Sequence, residues 1–300
     1  MDGIFWALTA LHLISAIFSI LVLTLLLWFL RAAPFATLTR VLLLLHILGY
    51  LVQDGVEIVM EIMEMQSGAY ADPADPQFTI LFILQEGGSG VATTSFLVLV
   101  AERSLSLSLP FGDNCGIACA APVTVLVIAL PFTASYFLFM QSDMVGPLCY
   151  LYSVPIAMTL ISAYGFIRSR KLRSGSVAPS RGKMFWNLER RYNIEDVSEL
   201  NRAVFPIGVF ISILSIVATV FVILLVEDIL EEEIATNIFT TISLITSTVD
   251  PLLLMLRHKF FLKRLRQLFC RRSSSITVVV PVDTSKEADD HFVALKQMWA

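Results

Sequence analysis

The chain alternates between long apolar stretches and short polar links. Seven of the stretches approach or exceed roughly 20 residues, the length that an α-helix needs to cross the hydrocarbon core of a bilayer. They lie at about residues 4–30, 41–60, 78–101, 116–140, 148–167, 203–226 and 234–256. The pattern therefore predicts an all-α membrane protein, in which residues 1–256 form one bundle of seven transmembrane helices.

The third stretch, residues 78–101, is the one around which we expect the other six to pack. It holds a single charge, Glu86, and no proline, so it can cross the bilayer as one unbroken helix. Its middle contains Gly87, Gly88 and Gly90, which are poor helix formers in water. In a membrane, small residues let neighbouring helices approach closely, so this stretch is predicted to be the central helix.

Composition agrees with a membrane protein and argues against other classes. Apolar residues make up 56% of the chain and charged residues 15%, and the mean hydropathy is +0.77, values unlike those of a soluble domain. No phosphate-binding loop, zinc-binding spacing or nucleophile motif is evident. The sequence therefore predicts no enzyme activity, no cofactor, no metal and no nucleic-acid partner, and makes the lipid bilayer the first expected partner.

The basic residues predict the orientation of the bundle. The chain has 21 lysines and arginines, and all of them lie in the link between the first and second stretches, at the end of the third, between the fifth and sixth, or after the seventh. These links share one side of the predicted bundle, which the positive-inside rule makes cytoplasmic. We therefore expect the amino terminus outside and the carboxyl terminus inside.

Residues 257–270 have the pattern of an amphipathic helix along the inner leaflet. Their apolar positions, which share one face, are Phe261, Leu265 and Leu268. Basic residues occupy the opposite face, as in helices that lie at a membrane interface. Cys270 ends this segment and is a candidate for lipidation, with an unmodified thiol as the equal alternative. Residues 271–300 are predicted to be a mostly disordered cytoplasmic tail.

The second stretch carries polar residues at helical spacing. They recur every three or four positions, which places them on one helix face: His46, Tyr50, Asp54, Glu57, Glu61 and Glu64. Carboxylates inside a membrane normally face a bundle interior or water. Glu61 and Glu64 are expected to lie in extracellular water, whereas Asp54 is deeper, about 21 Å along the helix from Arg40.

Helix depth also predicts contacts between stretches. His46 and Asp250 lie at similar heights above the basic links, so they are expected to meet between the second and seventh helices, with Asp54 one or two turns further out. These three residues form the predicted intramembrane polar network. His12 in the first stretch is interpreted as a hydrogen-bonded packing residue, because a lone histidine on an apolar helix usually has that role.

An outer cavity for a small ligand is predicted among aromatic and acidic side chains. Its candidate residues are Tyr50, Glu57, Gln85, Glu86, Tyr150, Tyr152 and Asn237. Carboxylates together with aromatic faces suit an amine ligand. The open alternative is that Glu86 is protonated and hydrogen-bonded, in a cavity that receives a neutral volatile molecule.

The link between the fifth and sixth stretches is long and basic. Asn193 can cap a helix whose first turn contains Glu195 and Asp196. The sixth helix is therefore predicted to begin near Asn193, one or two turns below the membrane.

Three short motifs add a family resemblance. They are A-E-R-S at residues 101–104, R-Y-N-I-E at residues 191–195 followed by Pro206, and D-P at residues 250–251 followed by R-H-K at residues 257–259. With seven predicted spans and an outer amino terminus, they resemble those of G-protein-coupled receptors, and in particular of the alpha, beta and epsilon classes of nematode serpentine chemoreceptors. The chain lacks the cysteine that the wider superfamily carries near the outer end of the third span.

The resemblance implies a mechanism and site residues. In such receptors the arginine that ends the third span is held by neighbouring acids, until the sixth span swings outward and frees it for a heterotrimeric G protein. Carried onto this chain, Glu102 and Arg103 become the coupling switch, with Glu195 or Glu199 as a second partner and Arg202 nearby. The resemblance also implies a chemosensory receptor for a small ligand, located in the plasma membrane and, in a sensory neuron, in the cilium.

A transporter of small solutes or protons is the alternative function. Its support is the set of acids at membrane depth, Asp54, Glu86 and Asp250, because transporters use such residues to carry ions. An odd number of predicted spans and the absence of an internal repeat count against it.

Overall fold

A computed structural model describes residues 2–33, 35–68, 75–106, 116–140, 145–175, 184–226 and 232–269. Side chains are left out at 2–5, 106, 116–119, 138–140, 145–149, 151–152, 169–175, 184–199, 219, 222–223, 225–226, 232–233, 235–236 and 269. Within the described ranges every regular element is an α-helix: α1 Asp2–Arg31, α2 Thr37–Ser67, α3 Pro76–Ser106, α4 Gly116–Met140, α5 Val145–Gly175, α6 Met184–Val226, α7 Glu232–Arg257 and α8 Lys259–Phe269.

Six helices contain a segment long and apolar enough to cross a membrane. These segments are Trp6–Arg31, Thr37–Ser67, Pro76–Leu105, Ala120–Phe137, Leu200–Ala218 and Asn237–Arg257. In α5 the apolar segment among the described residues is the shorter Ser153–Arg168. Length and composition thus indicate a helical, multi-pass membrane protein, while the seventh span and the orientation stay predictions.

Each predicted stretch lies within one helix, but the predicted start of α6 is wrong. The helix begins at Met184, so Asn193 lies in its interior and does not cap it. Residues 184–205 contain neither glycine nor proline, so nothing in the sequence interrupts the helix upstream of Asn193. As a result, α6 is 43 residues long.

The helices close into a ring with α3 inside it. α1 packs against both α2 and α7, and α7 packs against α6, so the first and last long helices are neighbours. α3 contacts α2, α4, α5 and α6. The prediction that the third stretch forms the central helix is therefore confirmed.

Glycines bring α2 and α3 into backbone contact. A Cβ atom added at Gly49 would lie 2.6 Å from the backbone nitrogen of Ala92 and 2.6 Å from the carbonyl oxygen of Gly88. A Cβ added at Gly90 would lie 2.6 Å from the Cβ of Pro131 on α4. No side chain fits at these contacts, and close packing of this kind holds helices together in lipid, where the hydrophobic effect does not.

Large apolar side chains cover the outside of the bundle. Ile14 and Leu21 on α1, Leu126 on α4 and Leu160 on α5 are all exposed. In water such a surface would cause aggregation, but it is the surface that lipid chains require. Polar side chains are instead concentrated inside, where they meet one another.

The chain forms two compact units, Met1–Leu262 and Lys263–Ala300. α8 begins in the first unit, where Phe261 is fully buried, with its ring centroid 5.8 Å from that of Phe35 and 5.2 Å from that of His258. In the second unit, residues 263–269 continue the helix. Its place at the inner leaflet stays a prediction, and both Cys270 and the predicted tail lie outside the described residues.

Candidate functional site

The polar face of α2 points into the bundle. All of these side chains are buried: His46, Tyr50, Gln53, Asp54, Glu57 and Glu61. Because residues three or four positions apart share a helix face, one orientation of α2 buries the whole set. The buried face meets α1, α3 and α7 and forms two separate clusters.

The first cluster lies where α2, α3 and α7 meet and consists of His46, Tyr50 and Asp250. His46 Nε2 lies 2.9 Å from Asp250 Oδ2, and both side chains are fully buried. The Tyr50 hydroxyl donates to the same Asp250 oxygen at 3.1 Å. Helix depth predicted that His46 and Asp250 would meet, and their contact is present. We call this group the His46 cluster.

Hydrogen bonding indicates how the His46 cluster is charged. His46 Nδ1 lies 2.8 Å from the carbonyl oxygen of Ala92. A carbonyl oxygen only accepts, so Nδ1 carries a proton. An attractive contact between Nε2 and Asp250 then requires one more proton, held by either partner. With that proton the cluster is neutral overall, which suits a site without water.

The second cluster lies further along α2, toward Ser67, and consists of His12, Glu57, Glu61, Gln85 and Thr241. His12 Nδ1 lies 2.9 Å from Glu61 Oε1, and His12 Nε2 lies 3.0 Å from Thr241 Oγ1. The Gln85 amide donates to Glu57 Oε2. We call this group the His12 cluster, and it joins four helices: α1, α2, α3 and α7.

The expectation that Glu61 lies in extracellular water is wrong. Glu61 is only 4% exposed, because α1 places His12 directly against its carboxylate. His12 is itself buried and hydrogen-bonded, as its interpretation as a packing residue required. Its position beside two acids, however, gives it chemistry that a packing residue does not need.

The His12 cluster has more acids than bases. The possible ligand atoms of His12, Glu57 and Glu61 all lie within 4.8 Å of one another. Glu61 Oε2 is buried and accepts no hydrogen bond from any donor among the described residues, and the carboxyl groups of Glu57 and Glu61 lie against each other. In the described part of the chain, no lysine or arginine forms an ion pair with Glu57 or Glu61. Two carboxylates therefore share a buried site with one imidazole.

Asp54 lies on α2 between the two clusters. Its side chain is fully buried and lies beside the hydroxyl groups of Ser19 and Ser247. The Ser19 hydroxyl donates to Ser247 Oγ at 3.2 Å, which joins α1 to α7. The predicted network of His46, Asp54 and Asp250 is therefore buried, but Asp54 is not hydrogen-bonded to the other two.

The Glu102–Arg103 pair of the candidate switch lies at the carboxyl end of α3. Arg103 is only 6% exposed, and its Nε lies 2.8 Å from Glu102 Oε2. The Thr39 hydroxyl on α2 lies 3.5 Å from the same Glu102 oxygen. Ser104 donates to the carbonyl oxygen of Ile161 on α5 at 3.4 Å. The adjacent Glu-Arg pair thus lies where α2, α3 and α5 meet.

Of the other residues predicted for the switch, the structure describes the side chain of Arg202 but not those of Glu195 and Glu199. Arg202 is exposed, so it is not part of the buried Arg103 contact. Glu195 and Glu199 lie in α6, but their side chains are outside the described residues. Their role as second partners of Arg103 stays a prediction.

The seven candidate residues of the ligand cavity are distributed over several contacts. Glu57 and Gln85 meet in the His12 cluster, whereas Tyr50 belongs to the His46 cluster. The Tyr150 hydroxyl on α5 instead contacts the hydroxyl of Thr94 on α3. Tyr50 and Tyr150 therefore have different partners, and they do not both contact one carboxylate.

The remaining candidates contribute less to these contacts. Glu86 on α3 and Asn237 on α7 are both half-buried. The carbonyl oxygen of Asn237 accepts the Thr241 hydroxyl at 2.8 Å, which places Asn237 one turn from the His12 cluster. The side chain of Tyr152 lies outside the described residues.

Sequence reasoning missed His12 and Thr241 as partners of the acids. A signal for His12 was available, because Thr9, His12 and Ser19 recur on α1 at spacings of three and seven. All three are buried, so they mark the interior face of an otherwise uniformly apolar helix. Thr241 gave no such signal, since α7 carries several other hydroxyl residues.

Comparison with models of known protein families gives no match, and comparison with curated proteins gives none either.

Proposed function

We propose that the chain is a seven-span G-protein-coupled receptor, with a small molecule as its ligand and a chemosensory role. The ring of helices around a central α3 supports this proposal, since such a bundle gives a ligand at one end access to helices that extend to the other. The short motifs at residues 101–104, 191–195 and 250–251 agree with it.

The single observation that carries the proposal is the Arg103 contact. Burying a guanidinium costs free energy, and Arg103 is compensated by one neighbouring acid, Glu102, at 2.8 Å. An arginine that merely reached lipid phosphate would extend away from the bundle, whereas this one is buried at the end of the central helix. A buried charge at that place is suited to a contact that opens during signalling.

In the proposed mechanism, the His46 cluster couples the movements of α2, α3 and α7 between the two ends of the bundle. His46 lies on α2 and bonds the Ala92 carbonyl on α3, while Asp250 lies on α7. A shift of α7 relative to α3 would therefore break or strain this cluster. In the proposed mechanism, ligand binding moves these helices, α6 swings outward, and Arg103 becomes available to a heterotrimeric G protein.

The proposed orientation places the amino terminus outside and the Arg103 end of α3 in the cytoplasm. The distribution of all 21 basic residues supports it. The proposed location is the plasma membrane, in the cilium where the cell is a sensory neuron. The proposed ligand is an amine or a neutral volatile molecule, which Glu57, Gln85 and Glu86 would approach from α2 and α3.

The test is nucleotide exchange with a panel of Gα subunits and a library of amines and neutral odorants. Arg103→Ala should abolish ligand-stimulated exchange while surface expression stays near that of the unmodified chain. Arg31→Ala is the matched control, since Arg31 is exposed at the same end of the bundle and loses the same charge. Full signalling by the Arg103→Ala variant would remove this mechanism.

A transporter remains the second candidate function, favoured by the acids along α2. Asp54, Glu57 and Glu61 are buried at successive turns and have no lysine or arginine partner among the described residues. Such a column could pass protons or small cations. Flux into proteoliposomes without any G protein, abolished by Asp54→Asn, would favour transport, whereas ligand-dependent exchange without flux would favour the receptor.

A further inference from the structure

The geometry points to a binding site for a divalent transition-metal ion, with Zn²⁺ as the best match, formed by His12, Glu57 and Glu61. This site shares Glu57 and Gln85 with the proposed ligand cavity, but its test does not depend on the proposed receptor function, because it measures metal binding to the chain itself. One ligand comes from α1 and two come from successive turns of α2.

The donor set and its spacing suit such an ion. One imidazole nitrogen and two carboxylate groups are ligands that Zn²⁺ commonly takes, at distances of about 2.0–2.2 Å. The possible ligand atoms lie within 4.8 Å of one another, so small side-chain rotations would bring all three around one ion. Three protein ligands leave a fourth tetrahedral position open for water or an incoming ligand.

Thr241 indicates which nitrogen of His12 is free to ligate. Thr241 Oγ1 donates to the carbonyl oxygen of Asn237 at 2.8 Å, so toward His12 Nε2 the hydroxyl acts as an acceptor. Nε2 therefore carries the proton. A metal-binding histidine is commonly oriented in this way, by a hydrogen bond from its other ring nitrogen.

His12 Nδ1 consequently faces a carboxylate. It lies 2.9 Å from Glu61 Oε1, and without a proton or a cation near both atoms this contact joins two lone pairs. A metal ion would convert the repulsion into coordination. The other oxygen, Glu61 Oε2, is buried and accepts no hydrogen bond from a donor in the described part of the chain, so it too is available to an ion.

Charge and orientation give the same result for Glu57. Its Oε2 is held by the Gln85 amide, which fixes the carboxylate and leaves Oε1 for coordination. Two buried carboxylates beside one imidazole leave negative charge uncompensated, and a divalent ion would neutralise it. The imidazole favours Zn²⁺ and neighbouring first-row ions over Mg²⁺ or Ca²⁺, which prefer oxygen ligands alone.

The rival arrangement is a proton in place of the metal. His12 would then be an imidazolium that donates to both Glu61 and Thr241, with no ion present. The two arrangements differ in one measurable property, because only the metal site binds Zn²⁺ saturably with one ion per chain.

The experiment measures Zn²⁺ binding to the full chain in lipid nanodiscs, after removal of metal with a chelator. Co²⁺ serves as a second probe, since its visible absorption reports nitrogen and oxygen ligands in a four-coordinate site. We expect one Zn²⁺ per chain. His12→Gln, Glu57→Gln and Glu61→Gln should each lower the affinity by about 100-fold, at or above the range that loss of a supporting hydrogen bond produces.

Two matched sets of variants separate coordination from other effects. His258→Gln removes a histidine remote from the site, and Glu64→Gln removes a negative charge one turn beyond Glu61 on α2; both should keep the affinity within about threefold. Thr241→Val should lower it by about 10-fold, whereas Thr241→Ser, which keeps the hydroxyl, should restore it.

Each variant's thermal unfolding in chelator shows whether it folds, so a loss of binding can be assigned to the site. If His12→Gln does not fold, Glu57→Gln and Glu61→Gln carry the test. The proposal is overturned if the unmodified chain binds no Zn²⁺ saturably, or if the three ligand variants bind it as the unmodified chain does. The first result would favour a proton in place of the metal, held by His12 or between Glu57 and Glu61.

Discussion

The His46 and His12 clusters contain the same pair of groups in different surroundings. In each, a histidine nitrogen lies 2.9 Å from a carboxylate oxygen inside the bundle. The His46 cluster has one acid for its one histidine, and a tyrosine donates to that acid. The His12 cluster has two acids for one histidine. Among the described residues each cluster leaves one buried carboxylate oxygen without a hydrogen-bond partner, Asp250 Oδ1 in the first and Glu61 Oε2 in the second, so the clusters differ in their number of acids.

The difference teaches that a buried histidine–carboxylate contact cannot be interpreted from its distance alone. Where acids and bases are equal in number, the histidine and the carboxylate compensate each other and link two helices, as His46 and Asp250 link α2 to α7. Where acids are in excess, the site lacks a positive charge that something outside the chain can supply. Charge balance therefore separates a structural cluster from a binding cluster.

The largest expected effect is at the balanced cluster. His46→Leu should lower the free energy of unfolding by about 3–5 kcal/mol, because it leaves the buried Asp250 without its partner. The double variant His46→Leu/Asp250→Leu should be more stable than His46→Leu, since no unpaired charge remains. Chemical unfolding in nanodiscs or mixed micelles measures both. A loss below about 1 kcal/mol in the single variant would show that the pair contributes little.

Removing one hydroxyl group from each cluster should lower the free energy of unfolding by a smaller amount, and by more in the His46 cluster than in the His12 cluster. Tyr50→Phe deletes a donor to an ionisable carboxyl group and should cost about 1.5–3 kcal/mol. Thr241→Val deletes an acceptor at the edge of the His12 cluster and should cost about 0.5–1.5 kcal/mol in chelator. The same unfolding measurement applies, and equal losses in both variants would contradict a difference between the clusters.

The smallest expected effect on stability comes from replacing an acid by its amide, and it has opposite signs in the two clusters. Asp250→Asn should destabilise the chain, whereas Glu57→Gln should stabilise it in chelator by about 1 kcal/mol, because a carboxyl group buried beside Glu61 costs free energy that a neutral amide does not. The new amide oxygen can still accept from Gln85. Adding Zn²⁺ should reverse the advantage of Glu57→Gln, since the unmodified chain then gains stability from the ion. Thermal unfolding with and without Zn²⁺ checks both signs.

Much of the fold followed from the spacing of apolar residues. The helix positions and the central place of α3 were predictable because a bilayer imposes a minimum helix length and favours small residues at contacts. The start of α6 was not, since Asn193 has the chemistry of a cap but lies in a segment where nothing stops the helix earlier.

The site was predictable along α2 and at one contact between α2 and α7, but not at the contacts of α1. The face of α2 from His46 to Glu61 followed from helical periodicity, and the contact of His46 with Asp250 followed from depth. The contacts of α1 could not be predicted, because the sequence of a helix that is apolar on nearly every side does not indicate which face points into the bundle. That rotation decides whether Glu61 meets water or His12.

The contact between Gly49 and Gly88 has a consequence for mutational tolerance. It lies between the Ala92 carbonyl that binds His46 and the Gln85 amide that binds Glu57, so any side chain there would push both partners away from α2. In a saturation scan, Gly49 and Gly88 should accept almost no substitution. Gly55, where an added Cβ meets nothing within 4 Å, should accept many. The side chains of the two clusters can therefore change independently of one another. Both clusters depend on the same spacing between α2 and α3, however, so a change in that spacing disrupts both.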